Sequence, residues 1–269
     1  MRIGSRDFAT TGHTYIMGIL NVTPDSFSDG GKFNQIDAAL KHAEEMIGDG
    51  ADVIDIGGES TRPGYTKISD EEETDRVVPV IEAVKKEFEI PISVDTYKSG
   101  VAEAAAEAGA DLINDIWGLK YDARMAEVIA KSGLACCLMH NRDNTEYRNF
   151  MEDMKQNLRE TIALAKAAGI ADDKIILDPG VGFAKSYENN LEVIRRLKEF
   201  NELKYPVLLG TSRKSVIGLT LDLPAAERVE GTIVTTVMAV EAGCMFVRVH
   251  DVKENHRAIQ MAEAILDRK

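Results

Sequence analysis

The chain has 269 residues, 44% of them hydrophobic, and sets 32 basic against 45 acidic side chains for a formal net charge of −13. That length suits one large buried core, so a single domain over residues 1–269 is expected, and the acidic balance argues against nucleic acid or an anionic membrane, both of which need a basic face. No run of about 18 apolar residues offers a bilayer span, and the opening Met1-Arg2-Ile3-Gly4-Ser5-Arg6-Asp7 lacks the apolar centre of a signal peptide, so a cytoplasmic location without membrane contact is expected.

Taken in order, residues Ile3 to His13, with Gly12, read as a small hairpin lying across the amino-terminal ends of the later strands. Tyr15 to Leu20 is a β-rich apolar run that stops at Asn21. A stretch of helical spacing, Ile36 to Ile47, then ends near Gly48 and Gly50. The alternation repeats: Val53 to Ile56 before Gly57 and Glu59, then a helix over Asp70 to Phe88; Ile92 to Val94 before Asp95, then Ser99 to Ala108. Leu112 to Ile113 before Asn114 leads to a helix over Ala123 to Ser132, and Leu134 to Leu138 before Met139 and His140 leads to Met151 to Ala168. Ile175 to Leu177 before Asp178 precedes Asn189 to Phe200; Val207 to Leu209 precedes the Lys214 region and a helix over Ala225 to Ala242; Phe246 to Val249, ending in Arg248 and His250, precedes Lys253 to Asp267. Eight such units predict an α/β fold, a (β/α)8 TIM barrel, with its chemistry at the carboxyl ends of the strands.

The connections from helix back to strand are short, whereas Asn21 to Phe33 and Gly57 to Ser69 are long and polar, as loops that bind or cover a ligand are. Cys136 and Cys137 are neighbours on one strand and must face opposite sides, and Cys244 stands alone; buried thiols are expected, not a metal site.

The residues at the strand ends carry a family resemblance. Met17-Gly18-Ile19-Leu20-Asn21-Val22-Thr23-Pro24-Asp25-Ser26-Phe27-Ser28-Asp29-Gly30-Gly31 and Asp55-Ile56-Gly57-Gly58-Glu59-Ser60-Thr61-Arg62-Pro63-Gly64 closely resemble the two signature segments of dihydropteroate synthases. Ser93-Val94-Asp95-Thr96, Leu112-Ile113-Asn114-Asp115, Leu177-Asp178-Pro179-Gly180-Val181-Gly182-Phe183, Gly210-Thr211-Ser212-Arg213-Lys214-Ser215 and Val247-Arg248-Val249-His250-Asp251 agree with the same family, in the same order. The resemblance implies condensation of 6-hydroxymethyl-7,8-dihydropterin pyrophosphate with p-aminobenzoate to 7,8-dihydropteroate and pyrophosphate, with Mg2+, in folate biosynthesis. It also implies a homodimer and a sulfonamide target.

The residues can be read against that chemistry. A pterin edge presents adjacent N–H donors beside a carbonyl, which calls for a carboxylate accepting two bonds and for an amide or ammonium donor. Asp178, Asn114 and Lys214 supply these groups and Asp95 adds an acceptor; Asp95 and Asn114 are equally good helix caps, and only their company at the barrel ends favours the ligand reading. The resemblance adds Ile116, Met139 and Gly210 to the pterin side.

Pyrophosphate needs cations while the carbon–oxygen bond stretches. Arg62, Arg248 and His250 are the candidates, the last two being two apart on one strand and so on one side. By family analogy Asn21 is the Mg2+ ligand, a modest one that suits a metal held mainly by phosphates and water. Ionisation before attack is the easier route, because the methylene cation conjugates with the dihydropterin.

The resemblance places Phe27 and Asp29 over the site, and sets Phe27, Thr61, Pro63, Gly182, Phe183 and Ser215 around p-aminobenzoate, with Asp29, Arg62 and Lys214 as the catalytic set. Ser215, at a helix start, could take the benzoate carboxylate through its hydroxyl and free N–H groups. Met139 is expected to face the pterin and Trp117 to be packing; Asp70 to Asp75 reads as a solvated first helical turn. His140 and residues 141–150 match no motif and are assigned no role. A pterin-dependent methyltransferase acting on a corrinoid partner is the competing enzyme, though it has no evident use for Ser212-Arg213-Lys214 or Arg62. A non-catalytic pterin-binding paralogue is the competing non-enzyme.

Overall fold

The computed structural model describes residues 1–23, 32–60 and 66–268. β1 (Arg2–Ile3) and β2 (Arg6–Asp7) form an antiparallel hairpin, and eight parallel strands come after it. These are β3 (Tyr15–Asn21), β4 (Val53–Gly57), β5 (Ile92–Asp95), β6 (Leu112–Asp115), β7 (Ala135–Met139), β8 (Ile175–Asp178), β9 (Leu208–Leu209) and β10 (Phe246–Val249). Their order, β8-β7-β6-β5-β4-β3-β10-β9, is closed by a single parallel bridge between Leu177 and Val207, which completes the expected barrel.

Helices alternate with the strands: α1 (Lys32–Gly48), α2 (Asp70–Glu87), α3 (Ser99–Glu107), α4 (Met125–Ser132), α5 (Phe150–Ala167), α6 (Tyr187–Arg195), α7 (Ser215–Leu221), α8 (Val229–Ala242) and α9 (Val252–Ile265). Two expected helices differ. The sixth starts at Tyr187, because Ser186 Oγ accepts the Asn189 N–H, and gives way after Arg195 to a 3-10 segment over Leu197–Leu203. The helix expected over Ala225 to Ala242 is a 3-10 turn followed by α8. Between them Arg228 turns its guanidinium back onto the carbonyls of Leu223 and Arg213. α7 is an additional helix after β9, ended by Asp222 in the left-handed region.

Side chains alternate along each strand, so every second residue points into the barrel. The lower interior is apolar: Met17, Val53, Leu112, Ala135, Cys137, Ile176, Leu208 and Phe246 pack with Ile3 and Phe8 of the amino-terminal segment. Ile3 and Phe8 are 0% and 2% exposed, and burying side chains of that size contributes about 1.5–3 kcal/mol each, enough to hold the hairpin as a plug. Cys136 belongs to the outer core between strands and helices and Cys137 to the barrel interior, as their adjacency requires. No helix among the described residues is long and apolar enough to cross a membrane.

Candidate active site

Above the apolar plug the inward positions turn polar. On β4 the parity that points Val53 inward also points Asp55 inward; Asp95, Asn114, Asp178 and Arg248 hold the corresponding places on β5, β6, β8 and β10. Asp55 is fully buried, and Asp95, Asn114 and Asp178 are nearly so. Arg248 bridges two of the carboxylates: Nε donates to Asp55 Oδ2 at 2.6 Å and Nη2 to Asp95 Oδ2 at 2.6 Å, while Asn114 Nδ2 reaches Asp55 Oδ2 at 3.4 Å. Burial pushes the Asp95 carboxyl up to about 7, against the pull of Arg248 and with the help of Asp55. Asp55 Oδ1, Asp95 Oδ1 and Ser93 Oγ are buried and have no hydrogen-bond donor or acceptor among the described residues. A ligand carrying N–H groups would satisfy the two carboxylate atoms.

Asp178 sits opposite a second cation. Its Oδ1 accepts the Gly180 N–H at 2.6 Å. Burial raises its pKa, and Lys214 and the Gly180 N–H oppose the rise. Burial also pushes the Lys214 ammonium down to about 8, with Asp178 opposing. Lys214 Nζ donates to the Val181 carbonyl at 2.5 Å and lies 4.8 Å from the centre of the Phe183 ring, a cation–π distance. Gly210 keeps the floor open between these groups: a Cβ there would stand 3.6 Å from Asp178 Oδ2 and 3.9 Å from Lys214 Nζ.

Met139 and Ile116 are buried together with Tyr97, and Trp117 and Phe183 pack against them as one apolar wall. Trp117, expected only to pack, therefore does so beside the site. Gly182, at φ +88°, needs its glycine, and a Cβ there would press on Lys214 Cδ at 3.2 Å. Ser215 is exposed at the start of α7. His250 Nδ1 and Ser212 Oγ are 2.9 Å apart, and Ser212 Oγ also accepts the His250 backbone N–H at 3.1 Å. Asn21 ends β3 beside Gly57, where a Cβ would lie 3.6 Å from both Asn21 Oδ1 and Asp95 Cβ, so glycine leaves a cleft between them. Phe27, Asp29, Thr61, Arg62 and Pro63 lie outside the described residues.

The competing cap reading of Asp95 and Asn114 falls away, since the N-cap positions of α3 and α4 are Lys98 and Arg124, and one expectation from the sequence is corrected. The acidic start of α2 is not wholly solvated, because Glu73 is 1% exposed and accepts from Lys98 Nζ at 2.7 Å. Lys98 also donates to Glu59 Oε2 at 2.9 Å and to the Ile68 carbonyl at 2.8 Å, and Glu59 takes the Ile68 N–H at 2.8 Å and the Tyr97 hydroxyl at 2.5 Å. This cluster fastens together the two ends of the long connection after β4. Burial pushes the Glu59 pKa up, but Tyr97, Ile68 and Lys98 outweigh it and hold the group below the usual range. For Glu73 burial wins and the pKa is raised.

Asp55 is the interior carboxylate that motif reading misses. Its signal is a charged residue at the inward parity of an otherwise apolar strand.

A parallel barrel whose carboxyl end gathers buried carboxylates, an amide and two cations around an open floor is an enzyme-type pocket for a small polar ring. The family described as pterin binding enzyme matches residues 17–250. A dihydropteroate synthase of Clostridium beijerinckii is 62% identical over 269 residues, covering 100% of both chains. A crystal structure of dihydropteroate synthase from Clostridium difficile, in the presence of pteroic acid, superposes with a TM-score of 0.93 at 52% identity over 100% of both chains. That of Yersinia pestis dihydropteroate synthase in complex with a sulfonamide drug superposes at 0.93, with 43% identity over 99% of both. The chain belongs to the dihydropteroate synthase family of pterin-binding enzymes.

Proposed function

We propose that this chain joins 6-hydroxymethyl-7,8-dihydropterin pyrophosphate to p-aminobenzoate, releasing pyrophosphate and forming 7,8-dihydropteroate. The observation that carries this reading is the buried set Asp178, Asn114 and Asp95, with half-buried Lys214, around the open Gly210 floor. Asp178 accepts two adjacent N–H groups of the pterin edge, and Lys214 and the Gly180 N–H oppose the rise in pKa that its burial brings. Asn114 and Lys214 offer donors to the ring, Asp95 offers its unpartnered Oδ1, and Ile116 and Met139 line the ring face.

Arg248 spends two of its five N–H donors on Asp55 and Asp95, which leaves three for the pyrophosphate, to which His250 and Arg62 are also assigned. Asn21 alone is a weak anchor for Mg2+, and no group of three His, Cys, Asp or Glu side chains able to hold a metal occurs among the described residues. The donor set therefore fits a magnesium ion carried in by pyrophosphate and water, with one amide ligand from the protein. When bound, the ion neutralises charge on the leaving pyrophosphate.

As the carbon–oxygen bond breaks, its electron pair leaves with pyrophosphate and the methylene carbon becomes cationic, conjugated with the dihydropterin. The p-aminobenzoate nitrogen then bonds to that carbon and sheds a proton. Asp29 is assigned to the catalytic set with Arg62 and Lys214, and the protein's task is to exclude water and align a weak nucleophile. Phe183 and Gly182 line the benzoate ring, Phe27, Thr61 and Pro63 are assigned to the same substrate, and Ser215 with the first N–H groups of α7 takes its carboxylate. A sulfonamide occupies the same place as a mimic of that substrate.

The exposed faces support a homodimer. Val234 and Val237 on α8, Met261 and Ile265 on α9, and Leu219 on α7 are all exposed apolar side chains, on helices that pack against one another. A second copy covering this face accounts for it, and a cytoplasmic location suits the absence of a spanning helix among the described residues.

The test is release of pyrophosphate from the pterin ester with Mg2+, with and without p-aminobenzoate, while the pterin product is identified. Coupled release with dihydropteroate formation is expected, and slow release without the amine would mark ionisation before attack. Pterin binding with no release under either condition would overturn the proposal.

A further inference from the structure

We propose that Lys185 is a positioning residue for the amine substrate, its ammonium tying the turn that carries Phe183 to the end of β7 through His140. The inference rests on the assignment of Phe183 to the p-aminobenzoate side.

The segment between β8 and α6 is held in an unfavourable shape. Gly180, Gly182 and Ala184 all have positive φ, at +69°, +88° and +48°, and alanine reaches that region only where its surroundings force it. The same curl brings the carbonyls of Gly180 and Phe183 onto one point, which Lys185 Nζ occupies at 2.8 and 2.9 Å. A third partner, His140 Nδ1, stands 3.1 Å away. In its protonated form Lys185 has three N–H donors and here has three acceptors, so it has none to offer a substrate and acts through the turn it holds; burial pushes its pKa down to about 7, with Asp178 opposing. With Lys185 protonated, Nδ1 accepts and the His140 proton sits on Nε2, which is buried without a hydrogen-bond partner among the described residues. Burial, with Lys185 and Lys120 nearby, pushes its pKa down to about 2, which keeps the ring neutral for that role.

Other groups grip the turn from outside. Tyr147 donates its hydroxyl to the Ala184 carbonyl at 2.9 Å, and buried Asn190 accepts the Gly182 N–H at 2.7 Å. A Cβ at Gly180 would lie 2.1 Å from the His140 carbonyl oxygen, so the turn is seated directly on the end of β7. What these ties fix is Phe183 against Lys214 on the benzoate side. Asp178, on the pterin side, depends more on Lys214 and on Gly180 than on Lys185 for its charge.

The experiment compares Lys185→Met with Lys185→Gln in the full chain, by steady-state kinetics with each substrate varied. It adds hydrogen–deuterium exchange over residues 180–186 without substrates. Lys185→Met is expected to raise KM for p-aminobenzoate about tenfold while KM for the pterin ester moves less than about twofold. Lys185→Gln, which keeps two N–H donors without the charge, is expected to recover most of that loss, and Lys185→Met to lose exchange protection over the turn. An unchanged p-aminobenzoate KM, an equal rise in both KM values, or unaltered exchange in the Met variant would each overturn the proposal. If Lys185→Met does not fold, Lys185→Gln against the unaltered protein makes the same comparison with a smaller amplitude. A wild-type protein that consumes no p-aminobenzoate would sink the functional reading instead, and the exchange measurement alone would then decide the role of Lys185.

Discussion

Replacing Lys98 by methionine keeps the length of the side chain and removes the one ammonium shared by Glu59 and Glu73. All three are buried, at 7%, 3% and 1% side-chain exposure, so the change strands two carboxylates away from water. Removing one partner of a buried ion pair costs about 3–5 kcal/mol, against about 0–1 for an exposed pair. The loss must depend on pH. An ordinary glutamate titrates near 4.5. A stranded one is raised in the folded state, and such a group leaves stability intact below its unfolded pKa and removes it as pH rises through the folded value. At 1.36 kcal/mol per unit, a loss of that size carried by one carboxylate corresponds to a shift of about 2–4 units. The deficit of Lys98→Met should therefore be small near pH 4.5 and reach its plateau at about pH 7–8. Urea denaturation of both proteins between pH 4.5 and 8 measures it. A deficit under about 1 kcal/mol at pH 8, or one equally large at every pH, would refute the reasoning.

Gly180→Ala should cost more than Gly133→Ala by urea denaturation. Both glycines have φ near +68°, but a Cβ at Gly133 meets nothing within 4 Å whereas one at Gly180 strikes the His140 carbonyl. About 1–2 kcal/mol is expected at Gly133 and a larger loss at Gly180; equal losses would contradict the close approach. Arg248→Met should raise KM for the pterin ester and destabilise the fold more at pH 8 than at pH 5, because Asp55 and Asp95 lose their cation and must then carry charge unpaired. In urea titrations an equal loss at both pH values would count against the pairing. The three thiols should resist a disulfide reagent at pH 8 in the native protein and all react in urea, since burial pushes each well above the usual thiol range. One fast-reacting equivalent in the native protein would refute the burial.

The barrel is legible in the sequence because two periodicities alternate along the chain and because each apolar run stops at a polar residue. Asp95, Asn114, Asp178 and Arg248 come together since strand parity and equal rank in a parallel barrel suffice to place them. Glu59, Glu73 and Lys98 are not legible as a group. The two glutamates lie 39 and 25 residues from Lys98, and nothing local distinguishes Glu73 from the three acids before it. Lys185 is hidden for a different reason: two of its partners are nearby backbone carbonyls that no residue type marks, and the third is a histidine from another strand end. The divided seventh helix is hidden because Arg228 breaks it through carbonyls that precede it in the fold.

The junction between β8 and β9 rests on one bridge, Leu177 to Val207, and on a Leu177 N–H to Pro206 carbonyl bond at 2.9 Å, whereas β3–β4, β5–β6 and β7–β8 share three to five residue pairs each. Directly above it stand Asp178, at the end of one stave, and the Gly210 to Lys214 segment leaving the other. A molecule seated between those two groups spans the loosest joint of the barrel like a rivet. Occupancy of the groove and cohesion of the whole shell are thereby coupled, and a ligand there raises the melting temperature as its affinity and concentration dictate.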